Sequence, residues 1–338
     1  ELVVSNRSFT SQTTTPDITC IKLSFRLEGG SKRSLSTGIY TLLYFCEAVV
    51  VLLTVCGNLL IVISVCHFKQ LHTPTNMLIL SLAMSDCLVG VFVIPAALTW
   101  MIESCWLFSA LYRMCFTFMS FFLTTMSIFN VALIAVDRYL ALSKPFMYNK
   151  TVSVSKMCIV LLSFWILLFF YNIVLQYYIG SFDGPVMCLG NSYFIWSMVD
   201  LVLTFVLPCA VIIIFYGLVF FIAKKHATAI RDLNSQTRTQ TSKNMSDSMK
   251  SERKAAKVLG ILVSVFLACL FPYFVYTVLG NVIEIEEKQL QQLLMLVYLN
   301  SSINPVIYAL FYPWFRRSVK LILTLHIFYT DSTLINVL

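Results

Sequence analysis

Charge is scarce in this chain. Only 12% of its 338 residues are Asp, Glu, Lys or Arg, whereas 59% are hydrophobic. A soluble domain carries roughly 25% charged residues, so this balance excludes one and leaves a polytopic membrane protein. Histidine is scarcer still, at four residues. With no His or Glu metal set and no nucleophile placed beside a base, the sequence has no signature of an enzyme. It also lacks an internal repeat, and its apolar stretches hold no continuous polar path, which disfavours a small-solute transporter. Glu1 to Arg33 has no apolar core of a cleavable leader, so the first span is expected to direct insertion itself.

Cysteine is present but does not build a disulfide scaffold. Seven of the eleven (Cys46, Cys56, Cys66, Cys87, Cys158, Cys209, Cys269) fall inside apolar stretches, where Cys acts as a small apolar residue. Cys20, Cys105, Cys115 and Cys188 face the oxidising side, and cross-links are sought there.

The apolar stretches recur at about 39–66, 77–102, 114–136, 157–182, 191–223, 258–283 and 289–315, which predicts seven membrane-spanning helices. An odd number places the termini on opposite sides. With the N-terminus outside, 17 of the 24 Lys and Arg residues fall on the cytoplasmic side, as the positive-inside rule requires. The formal charge of +8 then reads as orientation and contact with anionic lipid, not as nucleic-acid binding. The predicted layout is an extracellular tail over 1–36 and a seven-helix bundle over 37–311 with a polar cytoplasmic loop at 224–257. An amphipathic eighth helix over 312–323 and a cytoplasmic tail over 324–338 follow. Asn6-Arg7-Ser8 is a glycosylation sequon in the outer tail.

Within the spans a few polar residues stand out. Asp86 lies near the midplane of span two, where an unpaired carboxylate is expensive and needs polar neighbours or a cation. Glu47 lies in the outer part of span one. Asp200, Thr204 and Pro208 recur every four residues on span five, which predicts one shared face. Pro272 breaks the ladder of span six and predicts a kink. Span three ends in Asp137-Arg138-Tyr139.

That last triplet resembles the foot of the third span in the rhodopsin-like (class A) G-protein-coupled receptors. Asn300-Ser301, Asn304-Pro305, Tyr308 and Tyr312-Pro313-Trp314-Phe315-Arg316 further resemble the trace amine-associated receptors, and the likeness covers all seven spans and helix eight. The resemblance implies a plasma-membrane receptor, not an enzyme, that binds a small amine and couples to a heterotrimeric G protein of the stimulatory class. For most members it also implies an olfactory role. It implies a sodium site formed by Asp86, Ser127, Asn300, Ser301 and Asn304. It implies a switch in which Arg138 is clasped by Asp137 and by Glu252 on span six and taken over by Tyr216 and Tyr308. Pro208, Ile128 and Phe266 match the packed trio that repacks on activation.

The sequence departs from the family at three places. The amine-binding aspartate of span three is Ser120 here, which shifts the expected anchor to Asp200, as in fish members with an aspartate on helix five. Phe121, Tyr273, Phe274 and Tyr298 are expected to ring it, since an ammonium gains both an ion pair and aromatic faces there; Ser120 and Thr204 are alternative hydrogen-bond partners. Leu270 replaces the tryptophan of span six. Arg113 stands where the span-three cysteine is expected, leaving Cys115, or else Cys105, as the partner of Cys188. A Cys115 bond requires unwinding at the helix top, because two residues turn a helix by about 200°. These departures also fit a receptor of the same fold for a non-amine ligand, or one that signals constitutively.

Overall fold

The computed structural model describes residues 37–103, 108–180, 196, 198–236, 240–279, 287–328, 333, 335 and 337, with the backbone alone at 37, 178–180, 226–236, 240–257, 287, 288 and 328. Seven helices are long and apolar enough to cross a membrane: Gly38–His67, Pro74–Glu103, Ala110–Ser143, Val154–Tyr177, Met198–Lys225, Val258–Leu279 and Gln289–Phe311. We refer to them as spans one to seven. No strand occurs among the described residues.

In a bilayer every backbone group must be satisfied within the segment, which leaves helices as the available form. The helix starts are marked by local chemistry. Thr73 caps span two through the Asn76 N–H at 3.2 Å, with Pro74 in the first turn, and Ser109 caps span three through the Tyr112 N–H at 3.3 Å. Spans two and three form the centre of the bundle, each with 67% of its apolar window buried, whereas span four lies at the rim with 17%.

Apolar burial does not drive helices together in lipid, so close packing and interhelical hydrogen bonds do. Gly57 of span one lies so close to span seven that a Cβ there would sit 2.6 Å from Pro305 Cβ. Beside it Asn58 Nδ2 donates to the Ser301 carbonyl at 3.1 Å, and Thr54 Oγ1 pairs with Ser302 Oγ at 2.6 Å. On the other side of the core, Trp165 Nε1 of span four donates to Ser81 Oγ of span two at 2.9 Å.

Several expected boundaries move. Asp137-Arg138-Tyr139 does not end its helix, which runs on to Ser143 before the short helix Pro145–Thr151 begins. Span seven stops at Phe311, because Tyr312 is extended and Pro313 opens the amphipathic helix Pro313–Leu323. The stretch 224–257, read from its polar composition as a loop, is largely helical. Span five continues to Gln236 and span six is preceded from Gln240 by unbroken helix, because Lys, Gln, Met and Ala sustain a helix as well in water as in lipid.

Two spans carry a widened turn. Leu201–Val206 and Val89–Val93 are π-helical, and each precedes a proline, Pro208 and Pro95. A proline gives no N–H to the carbonyl four residues back, and its ring pushes that carbonyl away, so the turn before it widens. On span five the wide turn lies between Asp200 and Pro208. A turn closed by i→i+5 bonds holds more residues than an α-turn, so it keeps Asp200, Thr204 and Pro208 together on the less exposed face of span five.

Candidate functional site

The outer site is built around Asp200 on span five. Its Oδ1 accepts the Tyr171 hydroxyl of span four at 2.8 Å, while Thr204 Oγ1 donates to the Asp200 backbone carbonyl at 2.8 Å. The one ion pair among the described residues is Arg138–Asp137, so Asp200 has no cationic partner there. Tyr273 of span six lies within electrostatic reach of the Asp200 carboxylate. Phe274 stacks on Phe205 of span five, with centroids 4.4 Å apart. Ser120 and Tyr298 form a neighbouring group between spans three and seven, joined to the first through Tyr273. The Ser120 hydroxyl donates to the Phe116 carbonyl at 2.6 Å, as serine does in the middle of a helix. Phe121 is 47% exposed and does not belong to the buried core, unlike its neighbours Ser120 and Phe122.

Beneath Ser120 and Tyr298 lies a small cavity, about 10 Å³ open to the centre of a water-sized sphere. Ser127, Asn300 and Ser301 line its lower part, Ile128, Phe266 and Leu270 its apolar wall. Asp86 is fully buried next to it and accepts from Ser301 Oγ at 2.8 Å, Asn304 Nδ2 at 2.6 Å and Ser127 Oγ at 3.4 Å. Of the four residues expected around Asp86, Ser127, Ser301 and Asn304 bond it and Asn300 lines the same cavity. The Asn300 side-chain oxygen is buried and accepts no hydrogen bond. A hard cation fits this set: the donors are oxygens, one is a carboxylate, and one buried acceptor lacks a donor. No cluster of three or more His, Cys, Asp or Glu occurs among the described residues.

The third group is at the cytoplasmic foot. Arg138 Nη2 and Nε bind Asp137 Oδ2 at 2.6 and 3.1 Å. The same carboxylate accepts from Thr75 Oγ1 at 2.7 Å and from the Tyr148 hydroxyl at 2.6 Å. Burial first, then the Asp137 carboxylate, pushes the Tyr148 phenol up to about 12, so it remains a donor at physiological pH. Burial raises Tyr312 to about 12 as well, with the Arg138 charge opposing, so Arg138 lies near enough to be felt. Tyr139 points away from this network and packs its ring edge-on against Phe215 of span five. Tyr308 is buried, its hydroxyl without a hydrogen-bond partner, and its ring packs near Tyr312 and Phe315. Pro208 is buried at the wide turn, and Ile128 and Phe266 share the cavity wall. Pro272 lies inside an unbroken helix. Glu252 is on the helical extension of span six, but its side chain is outside the described residues.

Cys115 carries a free thiol on an exposed face of span three, whose top is intact and capped from Ser109, not unwound. Cys105, Cys188, Cys20 and Asn6 lie outside the described residues. Glu47 accepts from Thr99 Oγ1 at 3.4 Å, near a second carboxylate, Glu103, that accepts the Tyr44 hydroxyl at 2.5 Å.

Sequence reasoning missed Tyr171, Tyr148 and Thr75. Beyond Lys156 at its cytoplasmic end span four holds no charge and reads as packing, so nothing marked Tyr171. Tyr148 lies beyond a helix break at Lys144, across which no periodicity carries.

The 7 transmembrane receptor (rhodopsin family) profile matches residues 57–308. The chain is 37% identical over 308 residues to trace amine-associated receptor 13c of Danio rerio, covering 88% of this chain and 89% of that one. It is 36% identical over 304 residues to trace amine-associated receptor 1 of Mus musculus, covering 86% and 91%. To the Homo sapiens form of that receptor it is 33% identical over 315 residues, covering 89% and 93%.

Proposed function

The chain belongs to the trace amine-associated receptors, within the rhodopsin family of seven-transmembrane receptors, and on that premise we infer that it is a plasma-membrane receptor for a small amine held by Asp200. It is a receptor, not an enzyme. The observation that carries the ligand reading is the state of Asp200: a carboxylate inside a membrane span, engaged by neutral hydroxyls alone and without a cation beside it among the described residues. Such a group gains most from an ammonium, which adds a charge-assisted hydrogen bond in a water-poor setting. Tyr171 occupies only Oδ1, so Oδ2 remains for the ligand, with Tyr273, Phe274 and Tyr298 supplying aromatic faces.

The response follows from what lies below. An amine drawing on Asp200 pulls the outer part of span five, and the wide turn Leu201–Val206 gives that segment room to rotate above Pro208. Ile128 and Phe266 then repack around the cavity, and the lower part of span six swings out. Arg138 leaves Asp137 for Tyr216 and Tyr308, exposing the surface that takes a G protein of the stimulatory class. The N-terminus is extracellular, in keeping with the cytoplasmic excess of Lys and Arg. The olfactory role of the family extends to this chain by the same resemblance.

Asp86, Ser127 and the oxygen of Asn300 would hold a sodium ion, with Ser301 and Asn304 orienting the carboxylate, and a cation there would neutralise the buried charge and favour the closed bundle.

The test is cyclic AMP in cells expressing the receptor, screened with mono- and diamines, with Asp200→Ala and Asp200→Asn alongside. The expected result is activation of the native receptor and loss of response in both variants at equal surface expression. A receptor that ignores every amine, or variants with unchanged potency, would replace this reading with a non-amine or constitutive receptor.

A further inference from the structure

The described part of span six begins at Val258, and two residues on, Gly260 faces the tip of Tyr216 on span five. A Cβ at Gly260 would meet the Tyr216 hydroxyl oxygen at 2.6 Å, with ring carbons Cε1 and Cζ at 3.1 and 3.2 Å. Real Cβ atoms do not tolerate the first of these distances. The two ring contacts are tight but are relieved by a few tenths of an ångström. The conflict is therefore with one oxygen atom, and it falls on the far end of a side chain, not on backbone.

We propose that Gly260 is a positioning residue of the activation switch: its missing side chain makes the slot on span six that receives the Tyr216 hydroxyl while Arg138 is held by Asp137. The proposal rests on the reading of Tyr216 as a partner of Arg138 in the open state. Three observations converge on it. Arg138 gives its Nε and Nη2 to Asp137, so it is engaged elsewhere while the slot is filled. Tyr216 lies within electrostatic reach of Tyr312, and Tyr312 within reach of the Arg138 charge, so the phenol of Tyr216 and Arg138 flank a common neighbour. The helix that carries Gly260 also packs more extensively on span five than on span three, so span five is the neighbour it moves against. A methyl group at position 260 has two ways to be accommodated. Either the hydroxyl leaves toward Arg138, or the foot of span six moves out. Both are steps toward the open state.

The experiment compares the native receptor, Gly260→Ala, Tyr216→Phe and the double variant. Basal and amine-stimulated G-protein dissociation is measured in cells and normalised to surface expression. The alanine variant is expected to signal without ligand at three times the native level or more. The phenylalanine variant should lie at or below the native level, and the double variant should match it, because the atom that the methyl group displaces is gone. Because the Tyr216 hydroxyl also serves the open state, the discriminating readout is the thermal midpoint of the purified receptor, which Gly260→Ala should lower and the double variant restore. A purely structural role for the glycine would leave it lowered in both. Native basal signalling in Gly260→Ala would overturn the proposal, as would a rise that persists in the double variant. Loss of surface expression with or without the hydroxyl would also overturn it, since the glycine would then be a packing residue. Restored expression on removing the hydroxyl would support it. A native receptor deaf to every amine would sink the ligand reading alone and leave the comparison of basal signals intact.

Discussion

Tyr148, on the short helix after span three, donates its hydroxyl to Asp137 Oδ1 at 2.6 Å and so ties the second cytoplasmic connection to the carboxylate that clasps Arg138. Tyr148→Phe removes one hydrogen bond to a charged acceptor, worth about 1.5–3 kcal/mol in a protected setting and less here, where the loop is half-exposed. The closed state loses this stabilisation and the open state does not. Basal signalling is therefore expected to rise a few-fold, with unchanged amine affinity. Hydrogen exchange at 145–151 should accelerate in the same variant. Unchanged exchange there would show that the loop is held by something other than Tyr148.

The seven spans and the need of Asp86 for partners were legible from residue type and spacing, because each rests on a local rule or on a carboxylate that cannot remain unpaired in lipid, while the identity of those partners came from the family resemblance. What escaped is what depends on packing between helices. The wide turn at Leu201–Val206 accompanies Pro208, and a residue count shows neither its place nor its width. Tyr171 and Tyr148 meet their acids across 29 and 11 residues of chain, from segments with no polar pattern of their own. Cys115 was read from its nearness to an expected position, and its helix is intact and capped from Ser109.

Tyr171 orients the Asp200 carboxylate by occupying Oδ1 and leaving Oδ2 to the ligand. Tyr171→Phe should therefore weaken amine potency by about tenfold, in line with one net hydrogen bond of roughly 1–1.5 kcal/mol. The maximal response should be retained, because the anchor itself is intact. Dose–response curves for both variants check the ranking. A loss in Tyr171→Phe as large as in Asp200→Ala would mean that the phenol itself contacts the ligand.

Gly57 packs against a proline ring, which cannot move away as a flexible side chain would. With a Cβ at 2.6 Å from Pro305 Cβ, Gly57→Ala should push spans one and seven apart and disturb the pairs Thr54–Ser302 and Asn58–Ser301. Overpacking of this kind costs about 1–3 kcal/mol. The check is the thermal midpoint of the purified receptor in detergent, expected to fall by several degrees. Gly217, with nothing within 4 Å of its added Cβ, is the control whose alanine variant should keep the native midpoint.

The last expectation concerns sodium. Asp86 is satisfied by three neutral donors, which cancel none of its charge, and the Asn300 oxygen beside it lacks a donor. A cation supplies both needs and is held best while Ser127 and Asn300 face one another across the small cavity that the open state is expected to reshape. By linkage, an ion that prefers the closed bundle must weaken agonist binding by the same factor that agonist weakens the ion. Raising sodium at constant ionic strength, with choline as the replacement, should lower agonist affinity several-fold in membranes of the native receptor. Asp86→Asn should abolish the dependence, since a neutral amide keeps the packing and removes the charge. Asn300→Ala should shift it to higher sodium. Equal sodium dependence in the native receptor and Asp86→Asn would mean that the ion acts elsewhere, leaving Asp86 a hydrogen-bonded packing group between spans two, three and seven.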